Sequence, residues 1–335
     1  MPEHKDMSVD LLGRIRTALE RPVEPAVAAF AHRLAAQSPV PVLAVLFYGS
    51  NLRTGSLEGV LDFYVLTDTP QIEKIWPRVS YHEWRCSPAD TAPDGTALPD
   101  ADLRAKVATM PLETFRAAAA GERLDTTIWA RFVQPSALVW SHDRAASRAA
   151  GEAVAGAAKT AARLAVALGP DSGTPEDYWR ALFRATYAAE FRVEKAGRED
   201  SILSANREHF DGLLPLALVA QGIPFARGGP QGTIRPELDA AAKARILAWW
   251  QRRQRLGKPY NVLRLIKAST TFEGAARYAA WKIERHTGVP VLVTPWRERH
   301  PVLAAPSVLW SVWRARKAAS LAAANSPNDT DDRAA

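Results

Sequence analysis

A single cysteine, Cys86, excludes an intramolecular disulfide and any thiolate metal cluster. Long apolar runs are missing too: 42–48 and 213–220 fall far short of the roughly 18 residues that would cross a bilayer. The opening "MPEHKDMSVD" has acids and no apolar core. Neither a secretory signal nor an Arg-rich transit peptide is expected, and residence in the cytoplasm is. Acids are absent from one stretch in particular, 241–270, which holds eight Lys or Arg. Part of the net charge of +7 is therefore local, and it favours an anionic partner. Phosphate on nucleic acid, nucleotide or lipid headgroup would each satisfy it.

What is present points to a layered α/β region followed by helices. The 335 residues are 47% hydrophobic, enough for two packed domains. Leu11, Leu12, Ile15 and Leu19, then Val27, Phe30 and Leu34, have helical spacing on either side of "RPVEP", which predicts two helices within 9–36. In "VLAVLFYGSNLRTGSLEGVLDFYVLTDTP" the runs 42–47 and 60–66 read as buried strands. Residues 79–86 read as a possible third strand, and 86–100 as a loop by their Pro, Asp and Gly. From Gly151 the chain is alanine-rich and keeps a 3.6-residue period, broken by Gly and Pro loops at 169–175 and 222–236. The expected organisation is an α/β domain with a small mixed sheet at 1–148, a mainly helical domain at 149–318, and a disordered polar tail at 319–335.

The first strand breaks at Tyr48, Gly49 and Ser50, and the second carries Asp62. A strand ending in a Gly-Ser turn with an Asp in the next strand resembles the signature of the nucleotidyltransferase superfamily. Glycine lets backbone approach a triphosphate, a serine hydroxyl can hold its oxygens, and a carboxylate on the adjacent strand can take Mg²⁺. A second carboxylate two residues on would point to the same face, but that position is Tyr64. Asp68 has the right parity, yet six extended residues span about 20 Å. Glu83 is another source of carboxylate.

In order along the chain come "FYGSNL", "LDFYVLTDTP", "VSYHEW", "RAKVATMP", "TTIWARFVQPSALVW" and "RATYAAEFRVEKAGREDSILSANREHFDGLL". This collinear set, covering about 40–215, resembles the mitochondrial-type CDP-diacylglycerol synthases, also described as translocator assembly and maintenance proteins. Asn51 departs from the family's Gly, and the turn after Lys106 lacks its Tyr-Gly. The resemblance implies a nucleotidyltransferase-like fold that moves a cytidylyl group from CTP to phosphatidate or a related lipid phosphate, with Mg²⁺; the alanine and arginine content points to a bacterial relative. It implies Gly49 and Ser50 at the triphosphate, Asp62 at the metal, and Lys106, placed just before a short strand, and Arg131 as cations near phosphates. Asp62, Ser50 and Lys106 form the implied catalytic set. Asp68 reads as a metal ligand or as the cap of the helix "PQIEKIW". Arg192 reads as a candidate phosphate ligand and Phe191 as packing, while His209 is ambiguous between a satisfied structural group, the commoner use of a lone histidine, and a base, which a phosphate monoester acceptor does not demand.

Aromatic and basic residues cluster twice, in "ILAWWQRRQRLGK" and "VLWSVWRARKAA". Such helices suit an anionic membrane interface, internal packing, or stacking on RNA. With a lipid acceptor, the expected place is the cytoplasmic face of the cell membrane, peripherally bound; nucleic acid and an obligate protein partner are not expected. Two other functions remain open: a nucleotidyltransferase acting on RNA or a protein hydroxyl, and a non-catalytic membrane or nucleic-acid binding module.

Overall fold

A computed structural model describes residues 3–69, 80–86, 103–189, 198–229, 232–271, 276–277, 280, 283–284 and 287–324. The chain begins with α1 (Glu3–Leu19), α2 (Pro25–Ala36), β1 (Val42–Tyr48), α3 (Ser50–Thr54), β2 (Val60–Thr67), β3 (Ser80–Cys86) and β4 (Leu103–Pro111). It continues through α4 (Leu112–Ala119), α5 (Thr127–Phe132), β5 (Ser136–Ser141), α6 (Arg144–Leu168), α7 (Pro175–Ala189), α8 (Arg198–Ala205), α9 (Arg207–Phe210) and α10 (Leu213–Val219). A short hairpin, β6 (Phe225–Arg227) and β7 (Ile234–Pro236), precedes α11 (Ala240–Thr271), α12 (Pro295–Arg299) and α13 (Pro301–Ala324). The chain forms two compact units, 1–263 and 264–335.

In the first unit five strands make one mixed sheet, ordered β3-β4-β2-β1-β5. β1 runs antiparallel to β2 and β5, β2 is parallel to β4, and β4 is antiparallel to β3. Because strand side chains alternate, one face gathers Val45, Phe47, Phe63, Val65 and Val107 under Val27, Phe30 and Leu34 of α2. Phe63 centres that layer, 5.5 Å from Phe30 and 5.1 Å from Phe47 between ring centroids. The opposite face gathers Leu46, Tyr48, Tyr64, Leu66, Ala108 and Met110 under α4, α5 and α6. A sheet covered on both faces explains why β1 and β2 read as uninterrupted apolar runs.

α6 is the hub of this unit. Fifteen of its 25 residues are buried, and most of those are alanine, so α1, α4, α5, α7 and α10 all approach it closely. Its start is fixed by Asp143, whose Oδ1 accepts from the Ala146 N–H at 2.7 Å. Position 148 therefore lies inside a buried helix, and the helices from Gly151 to α10 share a hydrophobic core with the sheet. The small mixed sheet and the largely helical remainder agree with the expectation from sequence.

In the second unit α13 presents Ala304, Val308 and Val312 on a buried row, while Leu303, Leu309, Trp310 and Trp313 are exposed. This helix runs to Ala324, so 319–324, expected in the tail, are helical; 325–335 lie outside the described residues. Among the described residues no helix is long and apolar enough to cross a membrane.

Candidate active site

The bend after β1 is built on Gly49, whose φ of 100° belongs to the left-handed region that side chains resist. Its bare Cα faces Asp62: a Cβ there would stand 3.1 Å from Asp62 Oδ2. The carboxylate thus occupies space that only glycine leaves open. Strand register explains the approach. Tyr48 pairs with Asp62, Asp62 with Lys106, Lys106 with Glu83, and on the other side Tyr48 pairs with Ser136. Register partners share a face, so this row crosses the sheet with Asp62 and Lys106 adjacent and half-buried. Lys106 lies within β4 rather than just before a strand. The Tyr48 hydroxyl donates to Asp62 Oδ1 over a long 3.4 Å.

α5 delivers Arg131 to the same place. The helix starts where Asp125 Oδ1 accepts from the Thr127 N–H at 2.9 Å and from its hydroxyl at 2.6 Å. One turn later Arg131 Nη1 donates to the Tyr64 hydroxyl at 2.9 Å. Its guanidinium carbon lies 4.8 Å from the Tyr48 ring centroid and 5.6 Å from that of Tyr64, within cation–π range of both. Tyr64 is fully buried, edge-on to Phe132 with centroids 5.2 Å apart. Asp62, Tyr48, Arg131 and Tyr64 form one connected group.

Ser50 is exposed at the start of α3, its hydroxyl 3.5 Å from Asn51 Oδ1. Asn51 itself is buried, and its Nδ2 donates to the carbonyls of Ser56 and Glu58 at 2.8 and 2.9 Å. It closes the loop that brings the chain back into β2.

Other sequence candidates lie elsewhere. Asp68 is exposed at the far end of β2, its N–H donating to the Pro41 carbonyl at 3.2 Å where Thr67 pairs with Val42. The length of the strand separates Asp68 from Asp62, so the two do not share an ion and Asp68 is not a ligand of this site. The helix it was expected to cap, Arg192 and Phe191 all fall outside the described residues. For Glu83 only the strand position is described: it stands two strands from Asp62, across Lys106, on the same face. His209 Nε2 donates to the Val133 carbonyl at 2.9 Å, and burial, helped by Arg21 and Arg14, pushes its pKa down to about 4. The ring is neutral at pH 7 and serves to tie α9 to the end of α5. In α11, Trp250 is buried against Trp129, with Ile246 and Trp249 packed on the same core. Arg253 is buried too, Nη2 donating to Thr126 Oγ1 at 3.0 Å. The aromatic members of this first cluster therefore pack inward.

Among the described residues no group of three or more His, Cys, Asp or Glu could hold a metal. A fully protein-made cage is not required for Mg²⁺, which typically binds through one or two carboxylates, substrate phosphates and water. The Asp62 carboxylate, held in the space left by Gly49, fits that requirement. Sequence reasoning missed the roles of Tyr48 and Asn51 and the partnership of Tyr64 with Arg131. The available signal was position alone: Tyr48 precedes the Gly-Ser bend and Tyr64 shares the face of Asp62. No protein-family model matches this chain, and no curated protein matches it either.

Proposed function

We propose that the chain is a nucleotidyltransferase that moves a cytidylyl group from CTP to phosphatidate or a related lipid phosphate. The observation that supports this reading most is the Asp62 carboxylate set against the Gly49 bend, with Lys106 its register partner on the same face. Arg131, brought to the same group through Tyr48 and Tyr64, adds a second cation.

In this reaction an oxygen of the acceptor phosphate attacks the α-phosphorus of CTP, the bond to the bridging oxygen breaks, and pyrophosphate leaves with its electron pair. Lys106 and Arg131 bind triphosphate oxygens, one as a point charge and the other as a planar fork. The Ser50 hydroxyl, exposed beside the bend, holds another phosphate oxygen. A Mg²⁺ on Asp62 would offset the charge that develops as pyrophosphate departs. No general base is needed, because the acceptor is already an anion; the neutral His209, committed to a backbone carbonyl, accords with that. The acceptor class also accords with the exposed Trp310 and Trp313, over which Arg314 and Lys317 sit at 4.8 and 5.2 Å. Exposed aromatics beside cations suit the anionic inner face of a cell membrane.

The test is incubation of the purified chain with each of four α-labelled nucleoside triphosphates, Mg²⁺ and vesicles containing phosphatidate. Lipid-soluble label from CTP alone is expected. Label on RNA or protein would instead favour a different acceptor, and no label in any phase would favour a binding module.

A further inference from the structure

Tyr64 stands where a second metal-binding carboxylate would share a face with Asp62, and it is fully buried with its hydroxyl bound to Arg131. We infer that Tyr64 and Tyr48 are positioning residues that fix the Arg131 guanidinium as a stationary phosphate grip beside Asp62, an inference that rests on the nucleotidyltransferase reading above.

Three observations converge. The hydroxyl of Tyr64 accepts from Nη1 at 2.9 Å, which sets the plane of the fork. The guanidinium carbon lies over the ring of Tyr48, 4.8 Å from its centroid, which fixes its position over the sheet. The same Tyr48 reaches Asp62 through its hydroxyl, so the cation and the carboxylate are referenced to one side chain. The identity of residue 64 matters electrostatically. A phenol at position 64 orients the guanidinium through a neutral hydrogen bond, where an aspartate would add a negative charge against it. A long arginine side chain held in this way forfeits its rotamer entropy on folding instead of on binding, which raises affinity for a phosphate. Phe115 and Phe132 flank the Tyr64 ring, and the residue is fully buried.

The experiment is calorimetric titration of the full chain with CTP and, separately, with inorganic tripolyphosphate, both with Mg²⁺ present. Native chain, Tyr64→Phe, Arg131→Ala, the double variant, Arg131→Lys and Asp62→Asn are compared, with circular dichroism to confirm folding. Tyr64→Phe is expected to weaken both ligands about tenfold in the native background and to have no further effect once Arg131 is alanine. Arg131→Lys, which keeps charge and loses the fork, is expected to weaken them similarly, and it decides the matter alone if Tyr64→Phe does not fold. Equal losses from Tyr64→Phe in both backgrounds, or unchanged affinity in Arg131→Lys, would overturn the inference. Weakening by Asp62→Asn with none from Arg131→Ala would overturn it while leaving the broader reading intact. Failure of the native chain to bind either ligand would overturn both.

Discussion

A methyl group at Gly49 would meet Asp62 Oδ2 at 3.1 Å on a backbone held at φ 100°. Gly49→Ala is therefore expected to cost about 1–3 kcal/mol in urea unfolding and, by shifting the carboxylate, to lower transfer activity more than that loss of stability explains. His209 gives a pH signature of its own. Its folded pKa of about 4 lies below the ordinary 6.5, so the unfolded chain binds the proton first. The stabilisation is complete above pH 6.5 and is lost as pH falls toward 4, by about 3 kcal/mol. Unfolding free energies measured from pH 7 to 4 should fall less steeply in His209→Gln, and parallel slopes would contradict the assignment. At this scale the sequence was informative wherever a residue type has few uses: a glycine at a bend and an acid in an apolar strand. The Arg131–Tyr64 bond was not legible, because 67 residues separate its partners and only the packing of α5 on the sheet joins them.

Elements with strong periodicity were readable, and those defined by their neighbours were not. β1 and β2 stand out as apolar runs because both faces of the sheet are covered. A short strand was expected after Lys106 from the resemblance alone; β4 alternates Arg104 and Lys106 with buried residues and β5 is only six residues long, so the full extent of β4 and the presence of β5 emerge only when β2 and β1 supply their partners. α6 was legible as a helix, but its alanine richness conceals how it is used: small side chains let five other helices pack around it, where a larger residue would force them apart. Ala158, fully buried, shows the consequence. Ala158→Leu is expected to destabilise the chain by about 1–3 kcal/mol in thermal or urea unfolding, whereas the same change on an exposed helix would be close to neutral.

At the scale of the whole molecule, net charge and exposed aromatic surface bear on the proposed lipid acceptor. The excess of +7 and the pairing of Trp310 with Arg314 and of Trp313 with Lys317 lead to the expectation that binding to vesicles of anionic lipid exceeds binding to neutral ones. Replacing both tryptophans with serine should weaken vesicle sedimentation, and raising salt should weaken it further. The expected boundary at 148 was drawn from a change in composition, yet composition changes there because α6 becomes the centre of a packed unit reaching to 263. The claim on which the rest depends is that Asp62 grips a divalent ion together with a nucleotide. Electron paramagnetic resonance of Mn²⁺, standing in for Mg²⁺, tests it most directly when the ion is titrated into the chain with CTP and compared with CTP alone. The account predicts ion uptake by the native chain that depends on CTP and is lost in folded Asp62→Asn; equal uptake by the two proteins would contradict it.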